Sequence, residues 1–565
     1  MTIMKQYIFV LTTMVALPLS AQNVVDAARF ASSDITGTAR YRSMGGAFGA
    51  LGGDVSCMGD NPAGIGIFRG TSQMAITPSL SFAHTHVDAS EKSNLKRNDF
   101  SVGNLAYVAS FKTSQSDHLV NFNVGVGFNH SEGVNRKYRM VLDNPRNSFG
   151  AYLANRTNNA LLNISKYDDP AYLTTDDAWE NNSFPLSSIL AYDCYAIDDA
   201  FITDEHGNDI YTGGVESYDQ HEGFDAYQRM NVLEQNRNDE YNFCVAANWD
   251  DLIYAGLTLS VSDFNSTICT EMNEDYQYDY QGSYTQYLND IETKGSGVGI
   301  KLGILVRPTD AWRLGVAVHT PTWYEMNDIY MGKMITDDTR NTGFSGGETY
   351  EYKYRYNSPW EYQISSAWII GTRGLFSIEY DMKDFTSQKY KIDDYDWDEH
   401  VFDDVNALFK EYMTLQHTFK AGLELRLTKS FSARLGYAHR TSPFKDEVMD
   451  EGVSRGWESR GRSWGDDNTL LFDSSTKPNY SVMGAQQFYS GGFGWHGKSW
   501  FIDLSVMNRV QNEVIAAFPT TDAFMGWDTD APLMSDDPDW GAVKGTHVDM
   551  KTRTLNWDLT FGLRF

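Results

Sequence analysis

Past residue 21 the chain has no apolar run of the roughly 18 residues that a membrane-spanning helix requires. If it crosses a bilayer, it does so with strands. Positive charge is also scarce, with 46 Lys and Arg against 75 Asp and Glu and a formal net charge of −29. That excludes nucleic acid, whose phosphates demand a basic footprint. The four cysteines, Cys57, Cys194, Cys244 and Cys269, are too few and too scattered for a disulfide scaffold or a zinc site, and their spacing assigns no pairing. No Pro/Ser-rich linker divides the chain, so it reads as one domain despite its length. No Ser/His/acid set is legible, because triads are recognised by geometry rather than order. No enzymatic activity, catalytic residue, metal or cofactor is expected.

What is present begins with Met1–Ala21: Lys5, an apolar run from Tyr7 to Leu19, then Ser20-Ala21-Gln22. This is the pattern of a secretory signal peptide, with cleavage expected after Ala21. The first cysteine beyond it is Cys57, so a lipoprotein is not expected.

The mature chain is dominated by period-two alternation. Its last segment sets Leu555, Trp557, Leu559, Phe561, Leu563 and Phe565 against Asn556, Asp558, Thr560, Gly562 and Arg564. In an outer-membrane barrel, lipid covers the apolar face of such a strand and the polar face lines the lumen. About fourteen such segments can be counted between Ser72 and Phe565. Short turns such as Asp250-Asp251, Arg307–Asp310, Thr372-Arg373 and Thr428–Ser430 alternate with long connections, the longest from about Ser131 to Asn238. Short periplasmic turns and long external loops fix the orientation, with both chain ends periplasmic. The expected fold is therefore all-β, a fourteen-stranded antiparallel transmembrane barrel over 72–565, in the outer membrane of a Gram-negative bacterium. Expected partners are outer-membrane lipid and lipopolysaccharide, and, because the chain stops at an aromatic, the barrel assembly machinery. Pro78, inside the first strand, removes a ladder donor and marks an expected kink in the wall.

Residues 22–71 do not alternate. They carry Arg40-Tyr41-Arg42-Ser43-Met44-Gly45-Gly46-Ala47-Phe48, a small-residue run into Gly53-Asp54, and Asn61-Pro62-Ala63-Gly64. Small residues let a backbone pack closely inside a confined lumen, and the segment is expected to be a plug threaded into the barrel. A dinucleotide-binding reading of its glycines fails, because no buried strand precedes them and no helix with a ribose-binding acid follows.

With the Asn61–Gly64 motif, this segment resembles the N-terminal hatch of the FadL/OmpP1/TodX family, in the form common in Bacteroidetes. Arg307–Asp310 leading to Leu314–Pro321, Gly374–Tyr380 with Phe385-Thr386, and Gly422–Arg426 with Arg434–Tyr437 are further echoes. The resemblance implies a hatch over 22–71 that blocks the pore, a hydrophobic small-molecule ligand bound beside it, and lateral release through the barrel wall. Carried over, Met44, Phe48, Asn61, Pro62, Ala63 and Gly64 are the ligand-binding and hatch residues. Asn-Pro holds Asn61 extended and presets the turn, while Gly64 permits a positive φ. Asp60 departs from the family pattern, which has a hydrophobic residue there.

Three other features bear on chemistry. His84-x-His86 ends the first strand, where an imidazole can ligate haem iron or simply face solvent. The acidic clusters Asp393–Asp398 and Asp528–Asp539 have the carboxylate spacing of a loop Ca²⁺ site, although most such runs are only solvated. Phe402, Val405, Leu408, Phe409 and Met413 have helical spacing and point to a helix packed over the barrel mouth. The function expected is uptake of long-chain fatty acids or similar apolar or aromatic compounds. The alternatives are a non-transporting subunit of a secretion or assembly machine, and a haemin-binding receptor.

Overall fold

The computed structural model describes residues 23–113, 118–145, 147–163, 173, 184–203, 209–217, 226–276, 284–337, 342–392, 402–446, 448, 477–521, 543 and 545–565. The signal segment and both acidic clusters lie outside these residues. Eighteen strands form one antiparallel sheet, closed by pairing of the first with the last.

The wall begins with β1 (Gln73–Asp88) and β2 (Lys92–Lys112), followed by a stave broken into β3 (Leu119–Ser131) and β4 (Arg136–Asp143). A separate hairpin of β5 (Ile197–Thr203) and β6 (Asp209–Ser217) stands off the sheet. The wall resumes with β7 (Ala226–Trp249), β8 (Ile253–Tyr276) and β9 (Tyr284–Val306). Three broken staves come next: β10 (Trp312–His319) with β11 (Trp323–Asp337), β12 (Thr342–Asn357) with β13 (Trp360–Ile370), and β14 (Gly374–Asp384) with β15 (Lys389–Ile392). It closes through β16 (Leu415–Arg426), β17 (Phe431–Arg440), β18 (Tyr480–His496), β19 (Trp500–Ala516) and β20 (Val548–Arg564). Counting each broken stave once leaves a barrel of fourteen.

The barrel is apolar outside and polar inside. On β3, Phe122, Val124 and Val126 are 45, 39 and 46% exposed, while Asn121 and Asn123 are 0% exposed. Water would not tolerate that outer face on so many neighbouring strands, whereas lipid covers it. Trp312 and Trp323 stand at the two ends of one outward span, about the nine to eleven residues that a tilted strand needs to cross the hydrocarbon layer.

The long external connections are shorter than the alternation implies. β1 and β2 meet through Ala89–Glu91 alone, and β4 and the first half of β7 fill much of the stretch from Ser131 to Asn238. The reason is physical: beyond the lipid, outward residues such as Asn94, Asn231 and Lys294 are polar, so period-two alternation of polarity vanishes while the strand continues.

Inside lie α1 (Val24–Phe30) and α2 (Ala39–Ser43), then 3₁₀ turns at Val55–Met58 and Pro62–Ile67. Beyond the lipid-facing span, on the side away from Phe565, α3 (Phe149–Asn163) and α4 (Leu186–Asp193) pack in one apolar cluster, and α5 (Asp403–Tyr412) in another. The last stands where the spacing from Phe402 to Met413 points. α1 lies against this second cluster: Tyr390 Oη donates to the Asn23 carbonyl at 3.3 Å and Tyr356 Oη to that of Ala27 at 3.1 Å. α1 therefore lies in the half of the barrel away from the rim at which Phe565 ends.

Candidate functional site in the barrel lumen

Residues 39–67 of the inner segment are seated on the wall by backbone contact. Asn61 is extended at φ −111°, its Oδ1 accepts from Ala63 N at 3.1 Å, and its Nδ2 donates to the Gly49 carbonyl at 2.7 Å. The Asn61-Pro62 turn presses against bare backbone: a Cβ on Gly303 would overlap Asn61 Oδ1, and one on Gly256 would overlap the Pro62 carbonyl. Gly64 does not use the positive φ open to it, since it sits within a 3₁₀ turn. It is needed for room instead, because a Cβ there would be 2.8 Å from the Cys57 side chain.

Met44 and Phe48 are completely buried, Phe48 beside Tyr41 at 5.3 Å and under the Arg40 guanidinium at 5.2 Å. Polar wall residues complete the fit. Arg42 pairs with Asp558 at 2.6 Å, Arg40 with Glu424 at 2.9 Å, and Glu379 accepts from Gly49 N at 2.6 Å.

Above this packed layer is a cavity of about 190 Å³. None of Met44, Phe48 or Asn61–Gly64 lines it; the inner segment contributes Phe30–Thr36, Tyr41, Ser56, Gly59 and Asp60. Its walls are charged and paired. Lys301 bonds Glu240 at 2.7 Å and the Gly59 carbonyl at 2.9 Å, and Lys420 bonds Glu379 at 2.6 Å and Asp381 at 2.7 Å. Asp60, the residue that departs from the family pattern, accepts from Gln363 Nε2 at 2.7 Å and faces Lys420 at 3.9 Å. Lys383 and Arg440 donate to the carbonyls of Ala31 and Ser33 at 2.8 and 2.7 Å, holding the cavity's lid of extended chain. Sequence reasoning missed these lumen charges. A signal was present, since Lys301, Glu379, Lys420 and Arg434 each stand at inward positions between apolar neighbours in an alternating strand.

The wall is interrupted beside the cavity. Breaks at Thr320–Thr322, Ser358-Pro359 and Phe385–Gln388 fall side by side, because His319 pairs with Glu361, Trp323 with Asn357, Trp360 with Asp384 and Asn357 with Lys389. Pro321 and Pro359 have no N–H to give to a ladder. Backbone and side chains bridge these breaks: Thr320 N donates to the Ile300 carbonyl at 2.9 Å and Ser358 N to that of Thr322 at 3.1 Å, while Thr320 Oγ1 accepts from Ile300 N at 3.0 Å and Ser358 Oγ from Thr322 N at 2.8 Å. Thr320, Thr322, Ser358 and Pro359 all line the cavity. A second interruption lies between β2 and β3, whose ladder stops at Asn104 and Asn129.

Pro78 marks a register shift against β2, and the pairing with β20 skips Thr77 and Pro78 before resuming at Ser79. His84 points outward from β1, away from the lumen. The four cysteines are free thiols, and burial pushes the Cys57 thiol well above its usual range.

No protein-family model and no curated protein matches the chain. Solved structures similar to it include a FadL homologue of Pseudomonas aeruginosa, 10% identical, covering 94% of this chain and 99% of that one with a TM-score of 0.49. The toluene transporter TbuX of Ralstonia pickettii is 12% identical over 94% and 99%, with a TM-score of 0.44. The toluene transporter TodX of Pseudomonas putida is 11% identical over 94% and 99%, at 0.45.

Proposed function

We propose that the protein is an outer-membrane channel for uptake of hydrophobic small molecules, with residues 22–71 as its hatch and lateral release through the wall. The observation that carries this reading is a lumen cavity closed by the inner segment yet bordered by side-by-side breaks in three staves. An open polar channel would suit water-soluble nutrients, and the packed 39–67 layer denies them one. An apolar molecule has the other route, sideways into lipid.

The cavity of about 190 Å³ is below the ~300–1,000 Å³ typical of drug-sized ligand sites. A small aromatic compound fits its scale; a long-chain fatty acid needs the Phe30–Thr36 stretch to move. Phe30 and Tyr324, both lining the cavity, supply apolar surface for either, with Phe30 backed by Phe264 at 5.3 Å and Tyr356 at 6.0 Å. The filled lumen also favours a second reading, a barrel subunit of a secretion or assembly machine.

Uptake of radiolabelled toluene and oleate by cells with and without the protein separates these readings. Protein-dependent uptake of either compound, lost in Ser33→Trp, supports the channel. Unchanged uptake of both, with stoichiometric protein partners in detergent extracts, supports the subunit. Saturable haemin binding lost in His84→Ala would replace both with the haemin reading.

A further inference from the structure

The outer face just above the lipid belt differs around the barrel. On β8, β9, β11 and β12 its charges alternate in sign, with Asp263, Glu325 and Arg355 near the belt and ion pairs such as Lys294–Glu292 at 2.9 Å and Lys353–Glu351 at 3.5 Å above it. The seam of β2, β1 and β20 is different.

There the last apolar row is Phe82, paired with Asn98 on β2 and Leu555 on β20. The next outward row is Lys96, His84 and Arg553, and the one above it is Asn94, His86 and Lys551. Neither row contains a carboxylate, and Val510 and Asn512 continue them on β19. Lys96 and Arg553 are exposed and Lys551 is half-buried. Among the described residues none of the three has an ion-pair partner, whereas Lys92, a row higher, is paired with Asp88 at 2.9 Å.

Adjacent strands lie about 4.8 Å apart and two residues rise about 6.8 Å, so the three cationic side chains converge within reach of one headgroup. Three unpaired cations on one seam of a chain of net charge −29 repel one another unless an external anion joins them. Height selects the anion. From Met74 to Phe82 the outward residues of β1 use up the span of the hydrocarbon layer, so the basic rows stand level with the outer-leaflet headgroups.

We propose that the Lys96–His84–Arg553 and Lys551 rows bind phosphate groups of an outer-leaflet lipopolysaccharide, its acyl chains lying on Leu80, Phe82, Leu555 and Trp557. Arg553 offers a forked donor and the lysines point charges, the usual division of labour at a phosphate. His86, whose Nδ1 meets Asn94 Oδ1 at 3.0 Å, and Asn98 supply further polar contacts beside them. The site rests on the membrane placement of the barrel and is independent of transport.

The test is native mass spectrometry of the full-length protein in dodecyl maltoside with bisphosphorylated lipid A, its dephosphorylated form, or inorganic phosphate. Bisphosphorylated lipid A should be retained about tenfold better than the dephosphorylated form, and the K96Q/K551Q/R553Q variant should lose that preference. K294Q/K353Q, on the mixed-charge side, should keep it. If the triple variant does not give a heat-modifiable barrel, K96Q and R553Q singly should each reduce retention several-fold. Equal retention of both lipid forms, or full retention by the variants, overturns the site. Inorganic phosphate competing at equal concentration would make it an ion site and overturn the lipid. A protein that stays monodisperse without detergent would refute the membrane placement instead.

Discussion

The two ends of the inner segment are held by different physics. Residues 39–67 are locked by shape, with the Asn61-Pro62 turn against Gly303 and Gly256, and the Arg42–Asp558 and Arg40–Glu424 ion pairs add to that fit. Residues 23–36 add more ion pairs to the apolar packing of α1: Arg29 pairs with Glu234 at 2.9 Å, Asp26 with Lys477 at 2.6 Å, and Asp34 with Arg509 at 3.6 Å, beside the cavity. A shape lock yields only when the wall deforms, whereas ion pairs and donated hydrogen bonds exchange for others. The comparison therefore assigns fixed closure to the lower part and movable closure to the upper.

Breaking the charge lock gives the largest expected effect. Glu234 serves both Arg29 and Arg136, the latter at 2.7 Å; Glu234→Gln strands the buried Arg29 guanidinium, while Arg136 keeps Glu513, at a cost of about 3–5 kcal/mol. A cysteine placed at Ser33 should become alkylated faster, while Cys57 stays protected. Equal exposure of both sites would show that the segment moves as one body.

Breaking the shape lock comes next. Gly303→Val forces its side chain into Asn61 and should cost about 1–3 kcal/mol by overpacking. Cys57, whose burial holds its thiol protonated and unreactive, should then react with maleimide. A protected Cys57 in this variant would mean that the wall yields in place of the hatch.

Asn61→Ala removes a cap and the bond to Gly49 and should cost about 1 kcal/mol, weakening uptake without loss of the heat-modifiable barrel. The smallest effect is at the seam. Phe565 exchanges backbone hydrogen bonds with Ser72 at 2.9 and 3.1 Å and stacks on Tyr107 at 6.1 Å. Phe565→Ala should cost about 0.5–1.5 kcal/mol, read as a lower melting temperature with the hatch still seated.

All fourteen membrane staves were legible in the sequence because lipid on one side and polar packing on the other impose alternation on each of them. The kink at Pro78 and the helix near Phe402–Met413 were legible for similarly local reasons. The external continuations of β2, β7, β8 and β9 were not, since both faces there meet polar surroundings and periodicity loses its sign. The role of Gly64 was not legible, because a glycine needed for room looks the same in sequence as one needed for a positive φ.

The sequence by itself determined the span of each stave, the face turned to lipid and the presence of a small-residue segment able to pack inside. These follow from nearest-neighbour polarity and side-chain size. Only the tertiary structure decided that Met44, Phe48 and Asn61–Gly64 are packed away from the cavity, that Lys301, Lys383, Lys420 and Arg440 surround it, and that breaks in three staves align beside it. Those facts depend on the register between strands far apart in the chain, which hydrogen bonding across the closed barrel sets and no single segment encodes.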